Sequence, residues 1–107
     1  MLKILSILIL FSGIANAANI GTGSVKVTKM ENWVGDSTVF IKTNQSELTN
    51  PAGCTVTDKY HLPTSASDIS RSMLLSAYHA DKAINIVIAG GACMNNRPQI
   101  VAISFQN

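Results

Sequence analysis

The chain has 107 residues, with eight Lys and Arg against six Asp and Glu and only two cysteines. That length makes one domain, close to the lower limit for a self-sufficient apolar core. Lys26, Lys29, Lys42, Lys59, Arg71, Lys82 and Arg97 are scattered along the chain, which argues against nucleic acid as a partner, because that recognition needs basic charge concentrated in a patch.

Met1-Leu2-Lys3 begins the chain with one positive charge, and Ile4 to Phe11 is apolar apart from Ser6. Ser12-Gly13 then loosens a helix, and Ala15-Asn16-Ala17 puts small residues where a signal peptidase reads. This is the layout of a secretory signal peptide. The apolar run is too short to cross a bilayer, which takes about 20 residues. The expected cut lies between Ala17 and Ala18. Residues 1–17 are then the signal peptide, and 18–107 form a single domain that is secreted or periplasmic. No transmembrane segment remains after cleavage. Losing Lys3 leaves seven basic residues against six acidic ones.

Asn19 to Gly23 reads as a short, flexible lead-in. Ser24 to Thr28 alternates as a strand that runs on towards Trp33, and Gly35-Asp36 signals a turn. Thr38 to Thr43 is a second strand. Asn44 to Gly53 is a polar loop, and Cys54 to Thr57 is a short third strand extending to Tyr60 or His61. Each run is rich in β-branched residues and bounded by turn formers. Ser65 and Asp68 have capping-box spacing. Ile69, Met73, Ala77 and Ala80 follow a helical stripe, with Leu74 and Tyr78 beside it, so a helix is expected over 67–82. Ala83 to Ala89 is a strand with Ile84, Ile86 and Ile88 on one face. Gln99 to Phe105 is another, with Val101, Ile103 and Phe105 on one face. The fold class is mainly β (α+β). The order β-β-β-α-β-β predicts a small five-stranded OB-like barrel with one helix between strands 3 and 4. Phe40, Val87, Ile100 and Ala102 make several strands apolar on both faces. Such faces are covered by the helix or by another subunit, or are scattered surface apolars of an ordinary kind.

The stretch GGACMNNRP, residues 90–98, holds Cys93. Two cysteines in an exported chain pair most simply with each other. A Cys54–Cys93 bridge closes a loop of about 40 residues, worth roughly 4 kcal/mol by chain entropy. A catalytic thiolate at Cys93 would need a basic neighbour, and neither His61 nor His79 sits in a cysteine-enzyme context. The two histidines also lack paired zinc-ligand spacing, and Gly90-Gly91 lacks the Lys and Ser/Thr of a phosphate loop. The stretch therefore reads as a stapled connection between two strands, turning at Asn95-Asn96.

Asn50-Pro51-Ala52-Gly53-Cys54, Ser72 to Ala77, Lys82 before the Ile84 strand, Gly91-Ala92-Cys93 and Arg97-Pro98 resemble a group of small exported bacterial proteins. In size, export and strand order the chain resembles the B subunits of AB5 toxins. That resemblance implies a homopentameric ring of OB-folds with the helices lining a central pore and edge strands pairing between subunits. It also implies a binding module for host glycans with no enzymatic activity.

Candidate ligand-binding residues are Trp33, Tyr60, Asn95, Asn96 and Arg97. Sugar C–H faces stack on indole, and Glu31-Asn32-Trp33 precedes a turn. Asn95, Asn96 and Arg97 supply amide and guanidinium donors suited to hydroxyls or carboxylates. Tyr60 lies in the polar-aromatic group Lys59-Tyr60-His61. The plainer readings are a core plug for Trp33, a strand end for Tyr60 and turn chemistry for the asparagines. No catalytic residues, metal ligands or cofactors are proposed, because no nucleophile-elbow motif accompanies His79, Asp81 and the serines. The partner is a glycan or a protein subunit. The alternative to the ring is a monomeric periplasmic interaction or inhibitor protein.

Overall fold

The computed structural model describes residues 17–105. The expected signal peptide therefore lies outside the described residues except for Ala17. Among the described residues, six strands and one helix follow in order: β1 (Ile20–Val25), β2 (Val27–Asn32), β3 (Val39–Thr43), β4 (Tyr60–Leu62), α1 (Asp68–Ala80), β5 (Ile84–Met94) and β6 (Arg97–Phe105). They form one sheet in the order β1-β5-β6-β4-β3-β2, with β4 and β6 parallel and the other pairs antiparallel.

The sheet has six strands rather than the expected five, and it is not a closed barrel. The extra strand arises at Lys26. Its N–H donates to Asn44 Oδ1 at 3.0 Å and its carbonyl accepts from the Asn44 N–H at 3.0 Å. One asparagine thus takes up both backbone groups, and the first strand divides there into β1 and β2. The two halves lie at opposite ends of the sheet order.

The expected strand over 54–57 is a loop; β4 begins at Tyr60. Asn50 clamps the Cys54 backbone, donating to its carbonyl at 2.9 Å and accepting from its N–H at 2.8 Å. Val56 donates to the Asn96 carbonyl at 2.9 Å. These bonds and the Cys54–Cys93 disulfide, with Cα atoms 5.8 Å apart, occupy the backbone that a strand would offer to a neighbour.

The turn expected across 90–98 narrows to two residues. Asn95 and Asn96 both have left-handed φ, 50° and 64°, as a two-residue I′ hairpin turn requires. Gly90 and Gly91 are strand residues. Gly90 lets other backbone approach closely: a Cβ there would collide with the Ala17 and Ala18 carbonyls, and its N–H donates to Asn19 Oδ1 at 2.9 Å. The lead-in before β1 is thereby docked on β5.

Alternation predicts Val101, Ile103 and Phe105 on the buried face of β6. Instead Ile100 is buried while Val101 and Phe105 are exposed. Between the pairs Val87↔Ala102 and Ile88↔Ile100, β6 advances two residues while β5 advances one. This bulge at Val101 changes the phase of the strand, so that both Ile100 and Ile103 reach the core.

Ser67 caps α1, its Oγ accepting from the Ser70 N–H at 3.2 Å. The cap is therefore Ser67 rather than Ser65. At the other end Asp81 is left-handed (φ 53°) and Lys82 donates to the Ala77 carbonyl at 2.9 Å. The expected stripe is rotated: Leu74 and Ala77 are buried, whereas Ile69 is 71% exposed and Ala80 is also exposed. Leu74 and Ala77 join Val25, Val27, Ile41, Tyr60, Ile84, Ile86 and Ile88 in one core. Full burial of each aliphatic side chain contributes roughly 1.5–3 kcal/mol.

Candidate functional site

A concavity of about 250 Å³ is lined by Trp33, Asp36, Thr38, Phe40, Lys59, Asn95 and Arg97. Phe40 lies between Val39 and Ile41, both buried in the core. Strand alternation therefore turns Phe40 to the opposite face. Two cations stand against its ring: Lys59 Nζ is 4.6 Å and Arg97 Cζ 5.5 Å from the centroid, within the range of cation–π attraction.

Each cation is held by a carboxylate. Lys59 Nζ lies 3.0 Å from Glu31 Oε1. Arg97 donates to both Asp58 oxygens, at 2.8 and 3.4 Å. The hydrogen bond from Lys59 holds the Glu31 carboxyl below the usual carboxylate range, and the one from Arg97 does the same for Asp58. Asp58 in turn raises the Arg97 guanidinium. With both cations paired, the site offers directed hydrogen bonds more than net positive charge.

The β2–β3 turn sets Trp33. Asp36 donates its N–H to the Trp33 carbonyl at 3.2 Å, and its Oδ1 accepts from the Thr38 N–H at 2.7 Å. Asn32 Nδ2 donates to the Asp36 and Thr38 carbonyls at 3.2 and 2.7 Å. The indole is 63% exposed, and its Nε1–H donates to Glu31 Oε2 at 3.3 Å. The indole is thus held exposed beside the Glu31 carboxylate.

Of the five candidate residues, Trp33, Asn95 and Arg97 come together here. Asn96 is exposed and supplies its carbonyl to Val56 instead. Tyr60 is fully buried, and its hydroxyl accepts from the Thr49 N–H at 2.7 Å and donates to Gln45 Oε1 at 2.8 Å. It is a core residue of this sheet, away from the concavity. Phe40, Asp36 and Asp58 are site residues that sequence reasoning missed, while Glu31 and Lys59 stood there only as neighbours of Trp33 and Tyr60. Phe40 carried one signal, an aromatic ring on the outward phase of a strand. Ion pairing between sequence-distant partners leaves no local pattern.

A second concavity, about 320 Å³ beside the start of α1, is lined by Ser65, Ser67, Ser70, Gln99 and aliphatic residues. Its lining brings no charged or aromatic side chain. Among the described residues no group of three His, Cys, Asp or Glu is placed to hold a metal ion, and no helix is long and apolar enough to cross a membrane. Comparisons with family models, with curated proteins and with solved structures find no match to this chain.

Proposed function

We propose that the chain is an exported, disulfide-stapled binding module of the AB5 B-subunit type, without enzymatic activity, which takes a glycan at the Trp33–Phe40–Arg97 concavity. The observation that carries this reading is the meeting of an exposed indole with Arg97 and Asn95 from the far end of the chain. A sugar ring stacks on the indole through its C–H face, while Lys59, Arg97 and Asp36 meet its hydroxyls.

Several features support the wider reading. The disulfide suits an oxidising compartment. If β1 and β2 are counted as one strand bent at Lys26, five strands remain and the helix lies between the third and fourth, as in an OB-like barrel. Val101 and Phe105 on β6 and Ile69, Leu75 and Tyr78 on α1 are apolar and exposed, as subunit contacts of a homopentamer would be.

The test is a glycan array probed with the mature protein, residues 18–107, together with its solution mass by light scattering. Binding that falls about tenfold in Trp33→Ala, equivalent to about 1.4 kcal/mol, supports the site. A mass near five chains supports the ring. A monomer that binds no glycan overturns both and favours a monomeric interaction protein, whose natural contact is the exposed α1 face.

A further inference from the structure

His61 lies at the centre of β4, paired with Phe40 on one side and Gln99 on the other. Its residue is 2% exposed, and its Nδ1 has no hydrogen-bond partner among the described residues. The imidazole packs 4.7 Å from the Phe40 ring, the two planes inclined by 57°. Gln99, its partner on β6, lies two residues after Arg97. One residue therefore packs against Phe40 of the concavity and pairs with the strand that carries Arg97 to it.

The charged groups around this ring come from several elements. Arg97 of β6 opposes protonation, while Asp36 of the β2–β3 turn and the Met94 backbone favour it. Lys59 already stands against the same Phe40 ring, paired with Glu31, as Arg97 is with Asp58. Burial outweighs the favourable contacts and holds the imidazole below the ordinary histidine value of 6.5. A buried imidazolium would carry an Nδ1–H with nowhere to donate.

We propose that His61 is an acid-operated latch under the concavity: protonation drives the imidazole out from beneath Phe40, strains the β4–β6 pairing behind the Asn95-Asn96 turn, and separates Phe40 from Arg97. The Cys54–Cys93 bridge keeps the turn tethered, so the release is local and reversible. Near neutral pH the surface is assembled; in mild acid it is open. The latch concerns the geometry alone and holds whatever the ligand is.

The experiment is a titration of the mature protein without ligand, from about pH 7.5 to about pH 4.5, spanning the range of histidine. The His61 ring and the backbone amides of Phe40, Asn95 and Arg97 are followed by NMR, and Trp33, the single tryptophan, by its emission. The expected result is one shared midpoint below 6.5 with unchanged far-UV circular dichroism. The transition should vanish in His61→Gln and persist in His79→Gln, since His79 is exposed on the last turn of α1. If His61→Gln does not fold, the wild-type ring and amides decide alone. A ring that titrates while the Asn95 and Arg97 amides stay still overturns the latch, as does a transition that survives in a folded His61→Gln. Because no glycan is present, failure of the latch and failure of glycan binding are separate results.

Discussion

Asn44 completes both backbone hydrogen bonds of Lys26, donating its own N–H and accepting on its side-chain oxygen, each at 3.0 Å. At that residue the chain leaves β1, at one end of the sheet order, and enters β2, at the other. Asn44→Ala removes the side-chain half of the clamp. The loss should be about 1 kcal/mol, since Lys26 is exposed and water replaces part of the bond. Urea unfolding should show a lower midpoint at constant slope. An unchanged midpoint would mean that the bend holds without Asn44.

The disulfide ties the loop after β3 to β5 across 39 residues. Replacing both cysteines by serine should cost roughly 4 kcal/mol, chiefly by freeing the unfolded chain. For a domain with a stability of about 5–15 kcal/mol, the melting temperature should fall steeply. A double variant as stable as the parent would show that the Asn50 clamp and the Val56–Asn96 bond suffice.

Acid should weaken the fold through the two ion pairs at the concavity. Glu31 and Asp58 both titrate below their ordinary values of 4.5 and 3.8 because Lys59 and Arg97 favour their charged forms. A carboxyl depressed in the folded state contributes stability that is fully present above its unfolded value. That contribution is lost as pH falls through the folded value. Stability measured by urea should therefore decline below about pH 4.5, and Asp58→Asn should flatten part of the decline. The same slope in parent and variant would remove Asp58–Arg97 as a contributor. His61 acts at higher pH with the same sign. Its folded value lies below 6.5, so the neutral ring's contribution is present above 6.5 and lost as pH falls through the folded value.

Gly90→Ala tests the docking of the chain before β1. The added methyl meets the Ala17 and Ala18 carbonyls, and overpacking of this kind costs about 1–3 kcal/mol unless the neighbour moves. Either response should speed amide exchange in β1 relative to β3. Equal protection of β1 in parent and variant would show that the lead-in does not rest on Gly90.

Local pattern was a good guide wherever one face of one element decided the outcome. Ile84, Ile86 and Ile88 are all buried, as their period-two spacing on β5 predicts. The helix forms, and the cysteines pair. The β propensity of Thr55-Val56-Thr57 misled, because residues outside that triplet decide its backbone: Asn50 holds Cys54 just before it, and Asn96 takes the Val56 N–H. The β6 pattern failed at Val101, since a bulge depends on the register with β5 and not on either strand alone. Tyr60 looked like a ligand-binding residue by its neighbours Lys59 and His61, yet the pairing of β4 with β3 turns its ring into the core.

Composition, cysteine count and apolar periodicity were enough to determine a small, mainly β domain with its disulfide and, among the described residues, one helix, because each of these follows from short-range sterics and from how few partners two thiols have. Which residues share the concavity was decided only by the tertiary structure. Phe40 meets Lys59 and Arg97, and Glu31 meets Lys59, through strand pairings that join distant segments. Contacts of that kind are set by register and bulges, which belong to pairs of strands and have no counterpart in any single stretch of sequence.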